Sequence, residues 1–433
     1  MTAVTSPPLA DHPLRAALND EVHARPPEAL VAPLMASFLA LYSPDGDRET
    51  EWAHLVRLAQ RHGVRLDGPP RIHLSLDLGA FRLRFERHSE FVRYKFIVTG
   101  DDGGPFERTA LSSVAADWVA ALAGTIMVAT HVSVLKDRDT TIHYDEIAGR
   151  WFDGNTLIAA EVGDEAAVAV TDFHVRADGF GRLLLIDRSL TPRQMGRMLQ
   201  RLLEIDSYRM MALLALPVAR ELGPFLIRAE AELTAITAAL GGARETDEPQ
   251  LLERLTQLGA ALESRIAAND FRFGAAAAYW ELVQQRIAEL REIRIAGQQT
   301  FREFIERRLA PAMNTCRTMA QREESLSART ARANQLLATR VDISHERQNQ
   351  ALLESMNRRG SLQLRLQQTV EGLSVAAVTY YAAGLVGYCA KGLKAAGMQL
   401  DPEIIVAISV PILAAITALA VARIHRMVAR SGH

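Results

Sequence analysis

The stretch VEGLSVAAVTYYAAGLVGYCAKGL, Val370 to Leu393, decides how the whole chain is read. Gly372 through Ala390 is 19 residues without Asp, Glu, Lys or Arg. As a helix it spans about 28 Å, close to the hydrocarbon thickness of a bilayer. It also carries Ser374, Thr379, Tyr380, Tyr381 and Tyr388, so taken alone it reads equally well as a core helix of a soluble domain. The residues after it break the tie. A short polar connection, KAAGMQLDPE (Lys394 to Glu403), leads into IIVAISVPILAAITALAVA (Ile404 to Ala422), a second 19-residue run without charge and far more apolar. Two runs of bilayer length joined by so short a loop predict a transmembrane hairpin.

The flanks of the hairpin set its orientation. Arg358, Arg359 and Arg365 precede the first run, and Arg423, Arg426 and Arg430 follow the second. The connecting loop holds Lys391 and Lys394, offset by Asp401 and Glu403. Cations concentrate on the outer flanks, which places both of them in the cytoplasm. The N-terminus, MTAVTSPPLADHPLRAAL, lacks the basic start and apolar segment of a signal peptide. The expectation is a multi-pass protein with N- and C-termini cytoplasmic.

Composition agrees with a large folded region ahead of the hairpin. The chain has 433 residues, 48% of them hydrophobic, and a net charge of -2. That charge balance argues against nucleic acid as a partner. Cys316 and Cys389 are the two cysteines, far apart in sequence, and they build neither a disulfide framework nor a zinc site.

Residues 1–190 mix strand and helix signals. RIHLSLDL (Arg71–Leu78), FRLRFERH (Phe81–His88) and FVRYKFIVTG (Phe91–Gly100) alternate apolar and polar side chains, the pattern of half-buried strands. SVAADWVAALAG (Ser113–Gly124) reads as a short helix and TIMVATHVSVLK (Thr125–Lys136) as a strand. NTLIAAEV (Asn155–Val162), AAVAVTDFHVRA (Ala166–Ala177) and RLLLIDRS (Arg182–Ser189) are further strands, with a turn at ADGFG (Ala177–Gly181). Strands in succession with few helices between them predict an α+β layer on a mixed or antiparallel sheet.

The regime changes at LTPRQ (Leu190–Gln194), where Thr191, Pro192 and Gln194 spell a helix start with a capping box. From there the chain is helical, with Pro217 and Pro224 kinking or breaking the first stretch. Amphipathic segments come next at 251–268 and 274–309. Met313–Gly372 holds one glycine, Gly360, ahead of its last residue and no proline, and reads as one long stalk helix entering the membrane. Its broken apolar stripe calls for helix partners, from this chain or from other subunits. The expected domains are 1–190, a cytosolic α+β domain; 191–369, the helical and stalk region; 370–422, the transmembrane hairpin; and 423–433, a basic cytosolic tail.

Catalytic signatures are lacking: the sequence has no P-loop, HExxH, G-x-S-x-G or CxxC. The expectation is a protein that is not an enzyme and needs no cofactor. His131, His143 and His174 sit in the strand-rich region and read either as metal ligands or, more in keeping with their spacing, as isolated side chains, and DRDTTIHYDE (Asp137–Glu146) lacks the spacing of a calcium loop. In NDEVHARPPEAL (Asn19–Leu30), Glu21, His23 and Arg25 precede a Pro-Pro pair that enforces extended backbone. They are binding candidates, set against a structural role in fastening the N-terminal segment to the sheet. In the spans, Gly384 and Gly387 beside Ala382 and Ala383 let another helix approach closely. Thr379, Tyr380 and Tyr381 either bond across helices or face an aqueous path.

NDEVHARPPEAL, LLEIDSYRMMALLALPVAREL (Leu202–Leu222) and RLQQTVEGLSVAAVTYY (Arg365–Tyr381) together resemble a bacterial family of membrane-anchored proteins of unknown function. The resemblance covers nearly the whole chain and implies anchoring in the bacterial inner (cytoplasmic) membrane. A second similarity is architectural: a cytosolic domain, a stalk helix and a short C-terminal hairpin look like the CorA family of metal-ion channels. It implies a homo-oligomer carrying a divalent cation. Gly397-Met398-Gln399 stands where that family has Gly-Met-Asn, departing at the third residue, and Ala396 replaces the aromatic before it. Two functions are expected on these grounds. One is an oligomeric CorA-like cation channel, with Thr379, Tyr380, Gly384, Gly387, Gly397, Met398 and Gln399 as pore or helix-interface residues. The other is a membrane-tethered scaffold or sensor whose cytosolic domain binds a partner.

Overall fold

A computed structural model describes residues 11–23, 28–100, 104–137, 142–242, 244–396 and 401–430. The first half of the chain runs α1 (Arg15–His23), β1 (Leu34–Tyr42), α2 (Arg48–Arg61), β2 (His73–Asp77), β3 (Arg82–Arg87) and β4 (Phe91–Thr99). A 3-10 turn (Ala110–Ser113), α3 (Ala116–Ala120), β5 (Thr125–Lys136), α4 (Tyr144–Trp151), β6 (Ile158–Val162), β7 (Ala167–Thr171) and β8 (Gly181–Asp187) come after it. The second half is helical: α5 (Pro192–Leu213), α6 (Ala215–Leu240), α7 (Glu248–Leu290), a short β9 (Ile293–Arg294), α8 (Phe301–Arg308), α9 (Ala310–Ala395) and α10 (Pro402–Arg430). The fold class is α+β, as its sequence pattern predicts.

The nine described strands form one mixed sheet in the order β2-β3-β4-β1-β5-β8-β7-β6-β9. Neighbours are antiparallel except β5 and β8, which run parallel. Both faces are covered. On one, Trp52, Leu55 and Leu58 of α2 and Trp118 of α3 pack on Leu83, Tyr94 and Phe96. Farther along, Ile147 of α4 and Phe152 join Val168, Val170 and Leu184. On the other face Met195, Leu199, Leu202 and Met211 of α5, with Trp280 and Val283 of α7, cover Phe38, Val132, Ala169 and Leu185.

Double coverage corrects the half-buried reading of Phe91–Gly100. Seven of the nine residues of β4 are buried, Arg93 and Lys95 among them. Their charges are paired inside, which is what makes that burial tolerable. The helix expected over 274–309 is also interrupted. α7 ends at Leu290, Arg291 adopts φ +49° and Gly297 φ +78°, and a second capping box, Thr300 with Glu303, starts α8. The capping box at Thr191 and Gln194 is present as expected. The strand expected over Ala166–Ala177 stops at Thr171, and the turn falls at Arg176–Phe180, where Arg176 N–H donates to Phe180 O at 3.0 Å.

By compactness the chain divides into two units. One comprises Met1–Gly241 with Glu253–Ala333, and holds the sheet and its covering helices. The other comprises Gly242–Leu252 with Asn334–His433, and holds the far part of α9 and α10. Among the described residues, three helical stretches are long and apolar enough to cross a membrane: Pro192–Leu240, Phe301–Ala395 and Pro402–Arg423. In the first, Met211, Ala212, Ala215 and Ala219 belong to the core built on the sheet, and Leu222 is buried as well. The third buries nothing over its most apolar window.

Candidate functional site

Two places in the molecule bring functional side chains together. The first lies inside the sheet-bearing unit. β3 and β4 are in register so that Arg84 faces Lys95 and Glu86 faces Arg93. Side chains two apart on a strand share a face, so Arg93 and Lys95 both point under α5. Arg84 reaches Glu86 at 2.8 Å, and Arg93 bonds Glu86 as well. Arg93 lies 3.7 Å from Glu204 of α5, which also bonds Arg286 of α7. Glu289 continues the chain of charges with Arg286 and Arg201, each at 2.9 Å.

The N-terminal segment joins the same network. Lys95 Nζ lies 2.8 Å from the buried carboxylate of Glu28, in the HARPPEAL stretch. Leu30 N–H donates to Pro192 O at 3.0 Å. Gly196 of α5 passes so close that a Cβ there would lie 1.8 Å from Glu28 O. The segment is thus clamped to the first turns of α5. A separate ion lock lies nearby: Arg272 of α7 grips Glu90 through both nitrogens at 2.8 and 2.9 Å, and the Tyr279 hydroxyl donates to Glu90 at 3.0 Å.

Burial pushes the Glu86 carboxyl up, but the guanidiniums of Arg93 and Arg84 outweigh it and hold the group at about 2. The sign of the resulting stability is fixed by that direction. A carboxyl held below its usual 4.5 stabilises the fold above that pH, and the stabilisation is lost as the pH falls toward about 2. Denaturant midpoints are therefore expected to drop between about pH 5 and pH 2, and Glu86→Gln to flatten that dependence. An unchanged slope in the variant would assign the acid sensitivity elsewhere.

Opposite charges meet along this network from Lys95 and Glu28 to Arg201 and Glu289. The other chemically suggestive pair, Ser37 and His131, is also internal. Ser37 Oγ accepts from Leu111 N–H and hydrogen-bonds His131 Nδ1, both at 2.9 Å. The imidazole stacks on Phe180 at 3.9 Å, and burial lowers its pKa to about 4. A neutral ring against a fully buried serine supports packing. His143 precedes α4, and His174 Nδ1 lies 2.9 Å from Asp172 O. Among the described residues no group of three or more His, Cys, Asp or Glu is placed to hold a metal ion.

The second place is the pair α9 and α10. Thr379 is buried, its hydroxyl 3.1 Å from that of Thr417, and each also donates back into its own helix. Ala383 and Ala390 are buried on the same side, and a Cβ at Gly387 would meet Val406 at 3.2 Å. Tyr380 and Gly384 lie on the exposed side, and nothing stands within 4 Å of a Cβ built on Gly384. The sequence candidates thus part company: Thr379 and Gly387 form the helix contact, while Tyr380 and Gly384 turn away from it. Gly397, Met398, Gln399 and Arg25 lie outside the described residues, and Glu21 and His23 fall on α1. Glu28, Lys95 and Gly196 are the residues that the sequence reading missed, although Glu28 stands inside the Asn19–Leu30 motif it singled out.

Fold and site together define a class: an α+β unit on a nine-stranded mixed sheet, followed in the chain by two apolar helices of membrane-crossing length. The chain belongs to the family described as protein of unknown function, DUF3422, which matches residues 10–428. No curated protein and no solved structure matches it, so the architectural similarity to CorA gains no support from these comparisons.

Proposed function

We propose that this protein is a membrane-tethered scaffold, anchored by the α9–α10 hairpin in the bacterial inner membrane, with its sheet-bearing unit on the cytoplasmic side. The observation that carries the reading is the way the hairpin disposes its polar groups. The hydroxyls of Thr379 and Thr417 face each other instead of a passage, and Ala383, Gly387 and Ala390 close the contact. The side turned away presents Leu373, Ala377 and Gly384, with Ser374 and the hydroxyls of Tyr380, Tyr381 and Tyr388 interspersed among apolar residues. Polar groups satisfied within the hairpin suit an anchor, whereas conduction needs a continuous line of oxygen ligands. The arginines at both outer ends keep those ends in the cytoplasm.

The test uses full-length protein. It is expected to float with the bilayer after alkaline extraction, and protease is expected to reach the sheet-bearing unit only in inverted vesicles. Proteoliposomes loaded with a magnesium-sensitive dye are expected to match empty vesicles. Flux that Gly384→Leu abolishes would replace the scaffold by the CorA-like channel, and recovery of the chain in the water-soluble fraction would overturn both.

A further inference from the structure

We infer that the exposed side of α9 is a self-association surface, on which a second copy of the same helix packs in parallel from the stalk into the membrane. Within the second unit Val341 is buried and Arg340 pairs with Glu248 at 2.8 Å. From Asp342 to Leu373 no described residue is buried. That segment nevertheless carries large apolar side chains. Leu352 and Met356, Leu366 and Val370, Leu373 and Ala377, and Tyr380 and Gly384 are four pairs of matching spacing, and the last three recur every seven residues. The one heptad between the first two pairs holds Arg359 and Gln363. Leu352, Met356, Leu366, Val370, Leu373 and Tyr380 are each 58–76% exposed. Heptad spacing of this kind describes the seam of a left-handed coiled coil.

The hairpin does not use this seam. At about 100° per residue, Thr379, Ala383 and Ala390, which face α10, lie about a third of a turn away from Leu366, Leu373 and Gly384. Lipid accounts for no more than the upper part of the seam. Leu352, Met356 and Leu366 precede the uncharged run that begins at Gly372, so they stand in water under the anchored reading on which this inference rests. A partner that tracks the seam must therefore pass from water into the bilayer at the same depth, changing from leucine to small residues as it goes. A parallel copy of α9 has that composition by construction. The positions flanking the seam, Leu353, Ser355, Gly360, Leu362, Gln367, Thr369, Ser374 and Ala376, carry no charge, so identical copies meet no repulsion there. Arg359 is the single charge in the seam. Such a polar layer fixes register at a cost in stability.

Cysteine cross-linking in native membranes tests the surface, in full-length Cys389→Ser protein. Leu366→Cys is expected to form a disulfide-linked dimer under mild oxidant, at a yield at least about tenfold above Ser361→Cys on the far side, because the bond needs Cα atoms within about 7 Å. Arg359→Leu added to Leu366→Cys is expected to raise the yield further. Equal yields from both faces, no Leu366→Cys dimer, or a lower yield with Arg359→Leu would each overturn the assignment. Flotation of the same membranes reports anchoring independently, so failure of the seam and failure of the tether give different results.

Discussion

Arg93→Met is expected to destabilise the sheet-bearing unit by about 3–5 kcal/mol, the cost of breaking a buried ion pair from one side. Arg93 is buried, sits about 6 Å from the ring centres of Phe91 and Tyr208, and stands between the carboxylates of Glu86 and Glu204. Methionine keeps most of the apolar stem, so the loss measures charge more than volume. Glu86 would keep Arg84, and Glu204 would keep Arg286, but each would lose a partner in surroundings that water does not reach. Adding Glu86→Gln to Arg93→Met is expected to recover a substantial part of the loss, because it removes the charge left behind. Urea unfolding followed by tryptophan fluorescence reads this directly, since Trp52, Trp118, Trp151 and Trp280, the four in the chain, lie in this unit. A loss under about 1 kcal/mol, the size of an exposed pair, would show that the network is hydrated.

The same residues mark the limit of what the sequence discloses. Thr125–Lys136 is a strand over the range its alternation predicts, and α5 starts at the capping box written in Thr191 and Gln194. Those signals are local: each depends on a period or on a cap whose partners lie within a few residues. β1 gave no such signal. MASFLALY is a nearly continuous apolar run, buried on both faces, and periodicity cannot separate such a strand from a piece of buried helix. The ion network is less legible still. Arg93, Glu204 and Arg286 come from three elements far apart in the chain, and nothing near Arg93 in sequence says that its side chain points inward. In the hairpin, Thr379 and Tyr380 are adjacent and both polar. Which of them meets α10 depends on the rotation of one helix against the other, and that is set by the close approach at Gly387 and Val406. Neighbouring residues on a helix differ by about 100° in direction, so one falls in the contact and the other outside it.

Gly196→Ala sets two physical effects against each other, and the sign of the result decides between them. Within a helix, alanine in place of glycine is worth roughly 1 kcal/mol of added stability through backbone entropy. Gly196 lies inside α5, so propensity alone predicts a firmer protein. The added Cβ, however, would stand 1.8 Å from Glu28 O, 2.9 Å from its carbonyl carbon and 3.3 Å from its nitrogen, all backbone atoms that no rotamer change can move. The segment around Glu28 would have to lift away. Lifting it breaks the bond from Leu30 N–H to Pro192 O, uncovers the buried Leu30 side chain and separates Glu28 from Lys95. Overpacking alone costs about 1–3 kcal/mol, and stranding a buried charge costs about 3–5 kcal/mol. A net loss of at least about 3 kcal/mol is therefore expected, more than the propensity gain can offset. Limited proteolysis adds a second readout, since a lifted segment would be cut ahead of Leu30 before the unit as a whole unfolds. Should Gly196→Ala instead raise the unfolding midpoint and leave Glu28–Leu30 protected, the clamp between these residues and α5 would have to be abandoned.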